Sequence, residues 1–188
     1  VEALKHSFTQ SVKIRLRSDV PLGILLSGGI DSSAITSISK KLSTNKITLL
    51  SSVSDQKEFD ESYFINKMQN YLDWPIIKEK ISNDPYELFL QLEKATYIAD
   101  MPLSSLSNLA HYNLMRAARD NNIKVILSGQ GADELLCGYR KYLLFFMQEK
   151  FQSLDLIGLI KIIISFSSNK EFLKQFNFAD AKRYLPSM

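Results

Sequence analysis

Leu25-Leu26-Ser27-Gly28-Gly29-Ile30-Asp31-Ser32-Ser33 is the stretch whose reading decides the fold of this chain. It leaves a short apolar run, Leu22 to Leu26, of the kind found in strands covered on both faces. It turns on two glycines and enters a segment where Ile30, Ala34, Ile38 and Leu42 recur at helical spacing. Strand, glycine turn and helix in that order suit an oxyanion. Glycine allows left-handed backbone angles and close approach of a phosphate. Successive N–H groups form a nest, and the helix points its positive dipole end into the same spot. Ser27, Ser32 and Ser33 add hydroxyl donors. Asp31 would repel a bare phosphate but suits Mg²⁺ that bridges to phosphate oxygens. The stretch lacks the Gly-Lys-Ser/Thr ending of the P-loop and the G-x-G-x-x-G of dinucleotide sites. Ser-Gly-Gly by itself also fits a plain tight turn with Asp31 as a helix cap.

A second loop of similar design lies far downstream: Ile126-Leu127-Ser128-Gly129-Gln130-Gly131-Ala132-Asp133-Glu134. It too follows an apolar run, Ile123 to Leu127, and leads into a helical segment that opens on carboxylates. The elements around the two loops alternate. Leu4, Phe8, Val12 and Leu16 predict a helix over Glu2 to Leu16, and Pro21 breaks the chain after it. Ile47 to Val53 is rich in β-branched residues and reads as a strand. Lys57 to Asp60 is a polar loop, followed by a helix with Phe64, Met68, Tyr71 and Leu72 on one face. Trp74 to Ile81 supplies a third strand, with Pro75 at its start. Asp84-Pro85 is an N-cap with proline at the first helical position, for a helix running to Tyr97 and stopped by Asp100-Met101-Pro102. Ser104, Ser105 and Ser107 read as loop, and Ala110, Leu114, Ala117 and Ala118 as a helix closed by Asn121-Asn122. From Ala132 onward the pattern is helical, with residues 143–188 as a helical extension. The fold class is therefore α/β, a mainly parallel sheet with helices on both faces. Ligands in such sheets bind outside the carboxyl ends of the strands, so the two glycine loops should share one rim.

Size and composition set the bounds. The chain has 188 residues, 45% hydrophobic and 11% aromatic, which suits one globular domain with a substantial core. Folding at this size buries roughly 70% of the unfolded surface, so no staple is needed. One cysteine, Cys137, excludes an internal disulfide and a cysteine-rich zinc site, and should pack as a small buried hydrophobe. His6 and His111 have no metal-ligand spacing, and no Ser-His-Asp arrangement is evident. The net charge of +3 is spread rather than blocked, so nucleic acid is not called for as a partner. Leu154 to Phe166 is the longest apolar stretch; Asp155 and Lys161 interrupt it, which argues against a membrane span and for a buried or interface-facing helix. Val1 is not an initiator Met, and the chain reads as a piece of a longer protein.

The first loop, taken whole and after a strand, resembles the pyrophosphate-binding loop of the ATP pyrophosphatase superfamily, whose members cleave ATP between its α and β phosphates. The second loop, extended to Val125 and Arg140, is similar to the second signature of glutamine-hydrolysing asparagine synthetases. So are the lead-in Ser18-Asp19-Val20-Pro21-Leu22-Gly23 and Ser52-Val53-Ser54 followed by Phe59-Asp60-Glu61-Ser62. The resemblance runs from near the start to about Tyr142. It implies that residues 1–188 are a synthetase domain that adenylates the aspartate side chain with ATP and Mg²⁺ and then transfers ammonia. It further implies that ATP sits on Ser27, Gly28, Gly29, Asp31, Ser32 and Ser33, and that Leu26 and Val53 give backbone contacts to adenosine. Ser128 and Gly129 would face them near the α-phosphate, and Asp31 and Asp133 would share Mg²⁺. Asp100 and Ser104 to Ser107 fit either the aspartate pocket or plain loop chemistry. Asp133 and Glu134 fit equally the favourable placement of charge at a helix start.

One residue departs from the family pattern: Gln130 stands where a Glu is usual. That Glu handles a proton when ammonia attacks; an amide can orient a nucleophile but not take its proton. Either Gln130 positions ammonia, or the acceptor differs. A relative that amidates or cyclises another carboxylate (sugar acid or β-lactam type) and a non-catalytic nucleotide-binding module are the alternatives. The resemblance also implies ammonia from an N-terminal glutaminase domain, absent ahead of Val1, so these residues alone should turn over poorly. The lone cysteine fits a reducing compartment, a cytoplasmic location is expected, and there is room for a homodimer. The family's pyrophosphate-binding lysine cannot be assigned among Lys161, Lys170, Lys174 and Lys182.

Overall fold

The computed structural model describes residues 1–54 and 60–167. The chain divides into two compact units, Val1–Gly129 and Gln130–Met188. The first unit carries four strands: β1 (Leu22–Leu25), β2 (Thr48–Val53), β3 (Ile76–Lys80) and β4 (Val125–Leu127). They form one sheet in the order β3-β2-β1-β4, with every neighbouring pair parallel. Its helices are α1 (Glu2–Arg15), α2 (Ile30–Leu42), α3 (Ser62–Leu72), α4 (Pro85–Ala99) and α5 (Leu106–Asp120). The expected α/β class with a parallel sheet is the one observed.

Alternation along the strands sorts side chains to two faces. Ile24, Leu49 and Leu127 join Ile65 and Leu72 of α3 in one core cluster, against which Ile35 of α2 packs. Leu50, one residue on from Leu49, joins Leu114, Ala117 and Ala118 of α5 in the other, with Leu25, Ile77 and Ile126 beside it. Helices therefore cover both faces, as a parallel sheet requires to bury its strands. β3 is an edge strand and carries Lys78, Glu79 and Lys80, charges that discourage further pairing.

Several helix faces differ from the sequence expectation. In α2 the buried positions are Ser32, Thr36 and Ser39, whereas Ile30 is 87% exposed and Leu42 is partly exposed. Small hydroxyl residues let the helix backbone lie close, and the Thr36 hydroxyl is satisfied by the Ser32 carbonyl at 2.6 Å. In α3 Leu72 is buried and Met68 packs on the core as expected, but Phe64 and Tyr71 are exposed and Ile65 is buried with Leu72. In α1 Val12 is buried and Leu16 packs on the core, but Leu4 is exposed. Ser105 is the N-cap of α5, so Ser107 lies inside that helix rather than in a loop. The Asp84 cap is as expected: its carboxylate accepts from the Glu87 N–H at 2.9 Å, with Pro85 at the first position.

The second unit contains α6 (Ala132–Leu136), α7 (Arg140–Gln152) and α8 (Leu156–Ser167). Asp155 joins the last two: it pairs with Lys150 at 2.9 Å and accepts from the Gly158 N–H at 2.8 Å. Leu156, Ile157, Ile160 and Ile164 of α8 are more than half exposed, so of the buried and interface-facing expectations for this stretch, burial is not seen at these four positions. Cys137 is also exposed rather than buried, because it caps the short α6 in a left-handed conformation, φ 58°. Among the described residues no helix is long and apolar enough to cross a membrane. Lys170, Lys174, Lys182 and most of the loop expected over Lys57 to Asp60 lie outside the described residues.

Candidate functional site

The chain runs β1 to β2 to β3 in one direction and then returns to place β4 on the other side of β1. That reversal falls at the carboxyl ends of β1 and β4, the position where open α/β sheets bind ligands. Leu22 pairs with Val125 and Ile24 with Leu127, so the two strands end in step. Both glycine loops start there.

The loops touch. A Cβ built on Gly129 would stand 3.1 Å from the Asp31 Cβ and 3.1 Å from the Ser32 nitrogen. Gly129 is thus seated on the first turn of α2, against Asp31 and Ser32. Glycine at 129 is what permits the approach.

Within the first loop, Gly28 has φ +84°, a conformation open to glycine. A Cβ there would also meet the Phe64 Cβ at 2.9 Å and the Glu61 carbonyl at 3.5 Å. The start of α3 is therefore packed onto the glycine turn. Helical spacing places Phe64 on one face of α3 but carries no sign of this contact; the Asp60-Glu61-Ser62 motif is the local signal for the region. Partial desolvation raises the Glu61 carboxyl above its ordinary range, while the Ser62 side chain and N–H lower that of Asp60. Ser62 N–H donates to Asp60 Oδ1 at 3.0 Å.

The serines form a network of their own. Gly29 N–H donates to Ser27 Oγ at 3.2 Å, Ser27 Oγ and Ser32 Oγ are 3.0 Å apart, and Ser32 Oγ–H donates to the Gly29 carbonyl at 3.2 Å. Ser27 N–H also donates to Ser32 Oγ at 3.2 Å. Ser32 is buried, Ser27 exposed and Ser33 half-buried. Leu26 is buried, with its N–H on the Leu50 carbonyl at 2.9 Å and its carbonyl accepting from the Ser51 hydroxyl at 2.6 Å. Val53 ends β2 and is half-buried, as are Asp31, Ser128 and Gly129.

Gln130, Gly131 and Asp133 follow Gly129 in the chain and belong to the second unit. Gly131 has φ +87° and caps α6, whose first turn holds Asp133 and Glu134. Asp133 is exposed, and its carboxylate fills the space that a Cβ on Gly138 would need. The Tyr139 hydroxyl donates to Glu134 Oε1 at 2.6 Å, and that bond, first among its causes, pushes the Tyr139 hydroxyl up to about 12. Asp100 ends α4 in a left-handed conformation, and Ser104 accepts from the Asn108 amide at 2.9 Å. Among the described residues no three carboxylate, imidazole or thiol groups gather as a resident metal site.

The family model for asparagine synthase matches residues 3–185. The chain belongs to the asparagine synthase family. This asparagine synthase-family chain is similar to asparagine synthetase [glutamine-hydrolyzing] 1 of Bacillus subtilis, at 35% identity over 142 residues. That match takes in 76% of the chain and 22% of the relative. It is also similar to the amidase chyE of Penicillium rubens, at 29% identity over 153 residues, covering 74% of the chain and 22% of that protein. The chain thus spans about a fifth of the length of these relatives. Among solved structures it resembles an NH3-dependent NAD synthetase from Campylobacter jejuni, at TM-score 0.49 and 16% identity, over 73% of this chain and 60% of that one.

Proposed function

We propose that this chain is the ATP-binding synthetase part of a glutamine-dependent asparagine synthetase. ATP lies with its pyrophosphate end on Ser27 to Ser33, and Asp31 and Asp133 are the carboxylates that would hold the Mg²⁺ it brings. Backbone groups of Leu26 and Val53 face the adenosine, and Ser128 and Gly129 lie by the α-phosphate. The aspartate side-chain carboxylate attacks the α-phosphorus, giving β-aspartyl-AMP and pyrophosphate; ammonia then displaces AMP. Fixed loop amides stabilise the charge that grows on the leaving pyrophosphate without reorganising, and the cleft holds the carboxylate in line with it. Gln130 orients the ammonia by hydrogen bonds, and its proton leaves through another group. Ammonia comes from a glutaminase domain elsewhere in the protein.

The observation that carries this reading is the seating of Gly129 on Asp31 and Ser32 at the carboxyl ends of β1 and β4. Radiolabelled pyrophosphate exchange into ATP, run on the intact protein with a panel of carboxylates, tests it. Exchange that depends on aspartate is expected, with Asp31→Asn and Asp133→Asn both abolishing it. Retained exchange in both variants removes the metal assignment. A second reading, activation of a different carboxylate, is favoured by Gln130 and by the amidase name of one relative. Exchange with another acid of the panel, and none with aspartate, decides for it.

A further inference from the structure

Asp133 and Glu134 are adjacent acids on the short α6, and the two residues after its cap hold them apart. Glu134 Oε1 accepts the Tyr139 hydroxyl at 2.6 Å. Asp133 lies over Gly138. A Cβ built on Gly138 would stand 3.2 Å from the Asp133 Cα and 2.9 Å from its Cγ, and would overlap its Oδ1. The Asp133 carbonyl also accepts the Gly138 N–H at 2.9 Å, so main chain and side chain of Asp133 rest on one residue. Both pairs span five positions: Gly138-Tyr139 receives Asp133-Glu134 residue for residue. Among the described residues none donates to the Asp133 carboxylate, whereas that of Glu134 is engaged.

Gly138 is not one of the glycines at positive φ, which are Gly28 and Gly131. Its backbone therefore calls for no glycine; the space beside it does. What a methyl group would strike first is the end of an Asp side chain, which can rotate to another staggered position. A side chain at 138 would cost the fold little and the carboxylate its place. We infer that Gly138 is a positioning residue that acts through Asp133: the absence of a side chain lets that carboxylate lie where it does. Together with the Tyr139 bond to Glu134, this separates two acids that their place in the sequence leaves equivalent, and it makes Asp133 the α6 acid offered to a ligand. The role toward a ligand rests on the nucleotide reading given above; the seating of the carboxylate does not.

Carboxyl-carbon NMR of the unliganded protein and calorimetric titration of Mg-ATP test the two parts separately. Gly138→Ala should move the Asp133 carboxyl signal while keeping the melting temperature within a few degrees of wild type. It should weaken Mg-ATP binding about tenfold, as Asp133→Asn should. The double variant should lose no more than about tenfold, because both changes take one carboxylate from one place. A glycine with a merely structural role would lower the melting temperature and lose affinity alike with and without the Asp133 carboxylate. Should Gly138→Ala melt early, adding Asp133→Ala, which removes the atoms beyond Cβ, should restore the melting temperature to that of Asp133→Ala; failure to do so overturns the seating, as does an unmoved carboxyl signal. Losses that add in full, or unchanged affinity with the signal moved, overturn the action through Asp133. If the wild type binds no Mg-ATP, the nucleotide reading falls and the role toward a ligand with it, and the carboxyl signal by itself decides the seating.

Discussion

At Gly28 two constraints meet. Its φ of +84° strains any side chain, and a Cβ would press on Phe64 at 2.9 Å. Gly131, at φ +87°, has the first constraint without the second, since nothing lies within 4 Å of its notional Cβ. Gly131→Ala should therefore lower stability by about 1 kcal/mol, the left-handed cost alone, and Gly28→Ala by about 2–4 kcal/mol once overpacking is added. Thermal denaturation of the two variants reads the difference, and equal shifts would remove the role given to α3 against the loop. Tyr139 offers a second residue-scale test. Difference titration of tyrosinate absorbance against Tyr139→Phe should place its ionisation at about 12, and Glu134→Gln should bring it back toward 10.0. The folded chain holds this proton more tightly than the unfolded chain. The contribution of the bond is thus complete below pH 10 and is lost as pH rises toward 12. The glycines were legible as turn formers in the sequence. The contacts that make Gly28 costlier than Gly131 were not, because they come from a helix more than thirty positions away, Gly28 against Phe64.

Among the elements, β1 is the one under most steric demand. It is central, between β2 and β4, and Gly23 lies on the face covered by α5. A Cβ at Gly23 would stand 2.8 Å from Leu50 Cδ1, 3.1 Å from Ile123 and 3.2 Å from Ile126. Leu50 is fully buried, so its side chain must shift within the core to make space. Gly23→Ala should cost about 1–3 kcal/mol by overpacking, seen as a lower denaturation midpoint with an unchanged slope. A stable variant would mean that the α5 face is looser than the structure shows. Strand existence and order of elements were readable from short apolar runs and their punctuation. Helix faces were less so. In α2 the regular spacing of Ile30, Ala34, Ile38 and Leu42 suggested the buried stripe, yet the buried residues are Ser32, Thr36 and Ser39. Small side chains fit where a helix backbone packs closely, and periodicity of apolar residues does not register that preference.

On the scale of the sheet as a whole, the site depends on β1 and β4 being neighbours. Gly129 touches Asp31 and Ser32 only because the chain returns past β1 after building β2 and β3. Gly129→Ala would push a methyl group against Asp31 Cβ and the Ser32 nitrogen, both at 3.1 Å. Since Gly129 has an ordinary backbone conformation, its variant should keep the melting temperature within a few degrees and lose about tenfold in Mg-ATP affinity. Calorimetric titration measures this, and undiminished affinity would separate the loop contact from nucleotide binding. The amino-acid sequence by itself determined the α/β class, the parallel sheet and the two glycine loops, because alternation, turn residues and loop composition are local properties of the chain. It also carried the family, through motifs that are local in the same way. Only the tertiary structure decided that Gly129 rests on Asp31, that α3 packs on Gly28, and that Ser32 turns its hydroxyl inward. Those are contacts between distant or oppositely facing groups, and burial in three dimensions, not spacing along the chain, selects them.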